Sequence, residues 1–287
     1  RKHIEIRSLK PVAFMLSLET SRAFMIGIMN LSIMSEKKQK YFNFPICLLK
    51  DFFNDYEKCL NDIHDYATYV KCIDYVGKSG FEWITDIDEL DDDDIKELVD
   101  LADKFFKKKT GDNIKVQTFR KGEDIYIKVR KNMPKVGLSL KIFWDYYENH
   151  KSDFEKTSFL AYLAFKSIIQ NKAYCKTTNN FLLGRMNGDA KALKRDSLLS
   201  LDTNILKYYG KKGRYHREKL ITELELNWGL KYYSRYTRGF YVSFKLSLED
   251  LIYQAEKKRK STLKKEKDFE KKSALQRVLN QIENEQN

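Results

Sequence analysis

Proline and glycine are scarce in this chain, with 3 prolines and 12 glycines among its 287 residues. Sandwiches and barrels built from short strands need frequent turns, and these two residue types form many of them. Hydrophobic residues make up 42% of the chain and include 18 Tyr and 18 Phe, which is enough to fill a core. We therefore predict a helix-rich α+β protein, with two domains as the ordinary expectation for this length.

All of the excess positive charge falls in the second half of the chain. Residues 1–150 contain 25 Lys and Arg against 25 Asp and Glu, whereas residues 151–287 contain 29 against 16, which is the whole net charge of +13. Excess charge confined to one half is typical of a segment that binds a polyanion. The expected partner is nucleic acid, with duplex DNA favoured over RNA and an anionic membrane surface as a weaker alternative.

The cysteines Cys47, Cys59, Cys72 and Cys175 show no C-x-x-C spacing, and the first three fall in a stretch predicted as one helix. They are interpreted as small buried hydrophobic residues, which favours a reducing compartment such as the cytoplasm. No apolar run approaches about 20 residues, so no membrane span is expected. No signal peptide is recognised either. Because the chain begins at Arg1 without an initiator Met, we expect the natural protein to start earlier.

Apolar spacing predicts the elements of the first half. Residues 4–35 are predicted to be β-rich. From Phe44 to Val70 apolar residues recur at steps of three and four, which predicts one long amphipathic helix with Pro45 in its first turn. Its regular spacing leaves a coiled-coil dimer seam open as an alternative to packing within the chain.

A second helix and a hairpin are predicted next. Within Thr85–Lys109 a helix is predicted that Asp91–Asp94 open and Lys107–Lys109 close, because acidic residues suit its positive end and lysines its negative end. Residues 114–129 alternate between apolar and polar on either side of Gly122, which predicts a β-hairpin. The chain is accordingly divided into three parts, with the first boundary near residues 132–137. Residues 1–131 form an α+β domain for dimerisation or partner binding, residues 138–246 a nucleic-acid-binding domain, and residues 247–287 a basic helical tail.

Local capping signals predict the elements of the second half. The clearest is Ser152-x-x-Glu155, the pattern of a capping box. The predicted elements are helices at Leu138–Asn149, Ser152–Asn171 and Asn179–Met186, a helical turn after Asp202, a helix at Arg214–Trp228, strands at Leu230–Tyr236 and Phe240–Lys245, and a final helix from Ser247.

Residues 177–188 combine a capping Thr, paired apolar residues and a glycine, and they resemble the second helix of a winged helix-turn-helix. Residues 152–246 are similar to that superfamily in the order and size of their elements. The resemblance implies a DNA-binding domain in which the helix beginning at Arg214 enters the major groove and the hairpin forms the wing. One departure is an insertion of about 25 residues between Gly188 and Arg214, where the superfamily usually has a short turn.

Three basic groups are the candidate contact residues. Cations in the first turns of the Arg214 helix interact unfavourably with the positive end of the helix dipole and lower the stability of the helix. A phosphate bound there would make the interaction favourable. Cations and tyrosines on the predicted outer face of the hairpin suit phosphate contact and stacking. The groups are Arg214, His216, Arg217 and Lys219; Lys231, Tyr233, Arg235, Arg238, Tyr241 and Lys245; and, in the tail, Lys257, Lys258, Arg259 and Lys260.

Motifs for enzymatic chemistry are missing from the sequence. There is no P-loop, G-x-G-x-x-G or G-x-S-x-G, and the four histidines are scattered, so no cofactor or metal is expected. The first hypothesis is a non-enzymatic DNA-binding protein, with replication initiation or transcriptional control in a bacterial mobile element as the suggested role. The alternatives are an interaction protein or inhibitor from a phage or mobile element that acts on a nucleic-acid-handling complex, and a Mg²⁺-dependent nuclease using the acidic residues 86–94.

Overall fold

The computed structural model describes residues 39–76, 90–106, 115–130, 132–194, 201–235 and 239–285, with side chains described as far as residue 276. It is a helix-rich α+β fold, as predicted, and residues 41–287 group into one compact unit. The predicted β-rich segment 4–35 lies outside the described residues. Across the described ranges, no helix is both long enough and apolar enough to cross a membrane.

The described residues form five strands and nine α-helices. The strands are β1 (Tyr41–Pro45), β2 (Lys135–Ser139), β3 (Cys175–Thr177), β4 (Lys231–Tyr233) and β5 (Phe240–Ser243). The helices are α1 (Tyr56–Val76), α2 (Asp92–Phe106), α3 (Val116–Lys128), α4 (Leu140–Glu148), α5 (Asp153–Ile169), α6 (Asn179–Met186), α7 (Thr203–Leu206), α8 (Arg214–Asn227) and α9 (Leu248–Glu285).

The first long helix begins later than predicted, at Tyr56. Phe44 instead lies in β1, where it pairs with Val136 of the antiparallel β2, and a 3-10 helix follows at Ile46–Leu49. The side chains of residues 44, 46 and 49 are all buried. A strand followed by a tight helical turn therefore buries the same apolar side chains that the predicted helix would have buried. The α-helix starts where Asp55 accepts a hydrogen bond from the backbone N–H of Lys58 at 3.0 Å, as an N-cap does.

The predicted hairpin at residues 114–129 is wrong, because Val116–Lys128 is the helix α3. Gly122 lies where α3 crosses α1. A Cβ at this position would stand 2.2 Å from the backbone oxygen of Asp65 and 2.8 Å from the Cβ of Tyr69. Phe119 lies one turn earlier on the same face and packs on Tyr69, with ring centroids 5.0 Å apart. Contact with α1 therefore outweighs the local strand pattern.

One hydrophobic core joins residues on both sides of the predicted boundary at 132–137. Phe159 of α5 is fully buried and stacks on Tyr146 of α4, with ring centroids 4.1 Å apart. Phe52, from the turn before α1, and Trp228, from the end of α8, both lie 6.2 Å from the Phe159 ring. The division of the chain into three domains stays a prediction.

Most capping signals of the second half act as predicted. The capping box at Ser152 and Glu155 starts α5, and the Thr178 side chain caps α6 by accepting from the N–H of Phe181. Asp202 caps the short α7. Gly229, with φ of 69°, follows the end of α8. These helices are therefore specified by contacts within a few residues of each end.

The C-terminal sheet contains a strand that the sequence did not predict. β3 pairs antiparallel with β5, and β4 pairs with the other edge of β5, giving the order β3-β5-β4. Because β3 lies between α5 and α6, it ties the predicted β4–β5 hairpin to the helices. In the insertion before α8, the side chains of Leu201, Ile205 and Tyr208 are buried, so this part of it belongs to the core.

Cysteine labelling tests the burial of α1. Cys59 and Cys72 are 4% and 0% exposed, and burial raises the pKa of the Cys72 thiol to about 12 and also raises the pKa of the Cys59 thiol. Because the thiolate is the reactive species, we expect only the half-buried Cys47 and Cys175 to react with iodoacetamide at pH 8 in the native protein, and Cys47 to react more slowly, since burial raises the pKa of its thiol too. All four cysteines should react in denaturant, and Cys175→Ser should remove one of the two thiols that are labelled in the native protein. Rapid native labelling of more than two thiols would contradict this burial.

Candidate nucleic-acid interface

A groove of about 530 Å³ lies between the first turns of α6 and α8. Both helices direct the positive end of their dipole toward this region. α8 has Gly213 at its N-cap, with no side-chain hydrogen bond to its first amides. The residues that line the groove include three cations and no carboxylate: Asn179, Asn180, Leu183, Tyr209, Gly210, Lys211, Arg214 and Arg217.

Arg217 holds the turn that precedes α8. Its guanidinium Nη1 donates to the backbone oxygen of Tyr208 and, at 2.8 Å, to that of Gly210. Burial lowers the pKa of Arg217, although an arginine with these partners remains a cation. Gly213 lies in the same turn, where a Cβ would stand 2.4 Å from the carbonyl carbon of Tyr208. Arg217 is thus a positioning residue for the groove as well as part of its lining.

Exposed side chains continue from the groove along the first turns of α8. Arg214 is exposed and its Nε donates to Glu218 at 2.8 Å, a hydrogen bond that raises the pKa of Arg214. Tyr215 is 71% exposed, and His216 and Lys219 are also exposed. Glu218 neutralises part of this surface. Lys211 was missed from the sequence because it precedes the predicted helix at Arg214–Trp228.

The outer face of the hairpin is covered by the beginning of α9. Tyr233 donates through its hydroxyl to Glu256 Oε1 at 2.9 Å, and Arg235 Nη1 lies 3.4 Å from Glu256 Oε2. Arg259 Nε donates to the same Oε2 at 2.9 Å. The hydrogen bonds from Tyr233 and Arg259 lower the pKa of Glu256. The expectation of a solvent-facing surface is wrong for Tyr233 and Tyr241, which are half-buried because α9 packs across the hairpin.

The remaining candidates are distributed around the hairpin and α9. Lys231 is half-buried, and the exposed Lys245 donates from Nζ to the backbone oxygen of Asn171 at 3.0 Å. Arg238 lies outside the described residues. In α9, Lys257, Lys258 and Lys260 are exposed. The structure thus brings together the cations around the start of α8, while Glu256 engages Tyr233, Arg235 and Arg259.

The described part of the acidic run, Asp91–Asp94, forms the start of α2. Asp91 Oδ1 accepts from the backbone N–H of Asp93 at 3.0 Å and of Asp94 at 2.9 Å, and Asp92 lies 3.5 Å from Arg120. Residues 86–89 lie outside the described residues. Among the described residues, no three His, Cys, Asp or Glu side chains are grouped so that they could share a metal ion.

Comparison with protein-family models, curated proteins and solved structures found no match for this chain.

Proposed function

We propose that this chain is a non-enzymatic nucleic-acid-binding protein that binds duplex DNA through the groove between α6 and α8. The groove carries the proposal, because its lining combines Lys211, Arg214 and Arg217 with the positive ends of two helices. A phosphate placed there would meet cations and the positive ends of two helix dipoles together. It would also relieve the unfavourable interaction between the basic first turns of α8 and the dipole of that helix.

The order of elements supports a winged-helix-like module as the framework of this site. α5, α6, α8 and the β4–β5 hairpin follow one another as the sequence resemblance implies, and Leu201, Ile205 and Tyr208 of the insertion before α8 are buried in the core. In helix-turn-helix proteins the start of the recognition helix contacts base edges. We therefore assign phosphate contact to Lys211 and Arg214, and base contact to the exposed Tyr215, His216 and Lys219. Replication initiation or transcriptional control is the role we propose for such a module.

A salt titration with paired variants tests the groove. Wild-type protein should bind a duplex more tightly than single-stranded DNA or RNA of the same sequence, with a log–log salt slope of several units. The double variant Lys211→Gln/Arg214→Gln should reduce that slope by about 2 units, because roughly 0.9 unit is lost for each phosphate contact removed. Arg217 stays unchanged, because it holds the turn before α8.

The matched control is Lys96→Gln/Lys141→Gln, which removes the same charge from exposed positions on α2 and α4. It should keep the wild-type slope. Equal slopes for the groove variant and wild type would rule out the groove as a contact. Tighter binding to RNA or single strands would rule out duplex DNA as the preferred partner.

A further inference from the structure

The beginning of α9 is fixed to the hairpin through one side of the helix. Leu251 and Ala255, one turn apart, are 0% and 2% exposed. Glu256 accepts hydrogen bonds from Tyr233 on β4 and from Arg259 on α9 itself. These contacts set the rotation of α9 about its axis, so that the side holding Leu251 and Ala255 faces the sheet.

The opposite side of α9 carries a row of lysines. With about 100° of rotation per residue, eight lysines fall within an arc of about 180° that is centred opposite Arg259 and Glu266, which line the groove between α9 and the hairpin. We call this arc the lysine face. Glu256, Glu266 and Glu270 fall outside it, and Asp268 is the one acidic residue within it between residues 257 and 272. All of its lysines are exposed: Lys257, Lys258, Lys260, Lys264, Lys265, Lys267, Lys271 and Lys272.

The dimensions of this face match a stretch of nucleic-acid backbone. From Lys257 to Lys272 the helix rises about 22 Å at 1.5 Å per residue. Duplex DNA carries one negative charge for about every 1.7 Å of its axis, so several phosphates fall within that length. A lysine-rich helix that merely stays soluble has no need to separate its charges by side. Here the acidic residues lie mainly toward the hairpin side and the lysines lie away from it, with Lys258 at the edge of the face, where its Nζ lies 5.5 Å from the centroid of the Tyr174 ring.

We propose that the lysine face of α9 is a second contact surface for the phosphate backbone of duplex DNA. This inference rests on the proposed function, and it adds a contact that is separate in sequence from the groove at α6 and α8. Because the lysines meet phosphates and no base edges, this contact raises affinity equally for all sequences.

A charge-permuted variant tests the face without changing net charge. Lys265→Glu, Glu266→Lys, Glu270→Lys and Lys271→Glu together keep the composition of the helix but remove two lysines from the lysine face. We expect the salt slope for duplex binding to fall by about 2 units, because two phosphate contacts are lost. A wild-type slope for this variant would overturn the inference, since only total charge would then matter.

A neutralised variant and its control extend the test. Gln at positions 264, 265, 267, 271 and 272 should lower the slope by about 4.5 units, because five phosphate contacts are lost. The control removes five exposed lysines elsewhere, by Gln at positions 50, 96, 121, 128 and 141, and should keep the wild-type slope. An equal drop in both variants would overturn the inference. So would an unchanged duplex slope accompanied by lost binding to phosphatidylserine vesicles, because the face would then belong to a membrane surface.

The two proposals fail in different ways. If the wild-type protein binds no duplex at low salt, the proposed function fails. If its salt slope for duplex binding falls when Lys211 and Arg214 are changed but stays the same after every change in α9, only the inference about the lysine face fails. All changed positions in α9 are exposed, so circular dichroism should confirm unaltered folding of each variant.

Discussion

Gly122→Ala should lower the free energy of unfolding by about 2 kcal/mol, within the range for forcing an extra methyl group into a packed contact. The new Cβ would stand 2.2 Å from the backbone oxygen of Asp65, so α3 and α1 must separate. At an exposed helical position the same change would raise stability by about 1 kcal/mol, because alanine is the better helix former. The sign of the effect therefore reports the contact, and urea unfolding followed by circular dichroism measures it.

Lys121→Ala and Asp124→Ala are the matched controls for Gly122. Both positions are exposed on α3, so each change should stay within about 0.5 kcal/mol of wild type. If Gly122→Ala behaved like these controls, α3 would not pack closely on α1. If it stabilised the protein, the glycine would be an ordinary exposed helical residue.

Phe159→Ala should lower the free energy of unfolding by about 3–5 kcal/mol, as expected for removing a fully buried aromatic ring. The ring is 0% exposed and contacts Tyr146, Phe52 and Trp228 from three other parts of the chain. Because these partners lie on both sides of residues 132–137, the loss should destabilise both parts together. Tryptophan fluorescence and circular dichroism should follow one shared unfolding transition, shifted to lower urea concentration.

Phe269 is 73% exposed and provides the control, because Phe269→Ala should leave the free energy of unfolding within about 0.5 kcal/mol of wild type. Two separate transitions in Phe159→Ala, with only one of them shifted, would contradict a shared core. That result would instead favour independently folding domains at residues 1–131 and 138–246.

Local chemistry accounts for what could be predicted. Ser152 and Glu155 cap α5 through each other, three residues apart, and Thr178 and Asp202 cap α6 and α7 within three residues. Such contacts form in almost any tertiary setting, so their sequence patterns are dependable. The basic first turns of α8 were recognisable for the same reason, since Arg214 follows directly on Gly213.

Contacts between distant parts of the chain account for the errors. The sequence pattern predicts a hairpin turn at Gly122, but in the fold this glycine allows the close approach of α1 to α3. The alternation along β4 predicts that Tyr233 faces solvent, but α9 packs across it, and Glu256, 23 residues further on, accepts a hydrogen bond from its hydroxyl. The pairing of β1 with β2, which converts the start of the predicted long helix into a strand, joins residues almost 100 positions apart.

The amino-acid sequence alone determined the helix-rich composition, the helix ends of the second half and the confinement of excess charge to residues 151–287, because each depends on composition or on neighbours within a turn. The tertiary structure decided which basic residues stand together. It brought Lys211 and Arg217 to the groove between α6 and α8, and it packed α9 over the hairpin. Those choices depend on which apolar faces bury each other, and that is settled only when the whole chain packs.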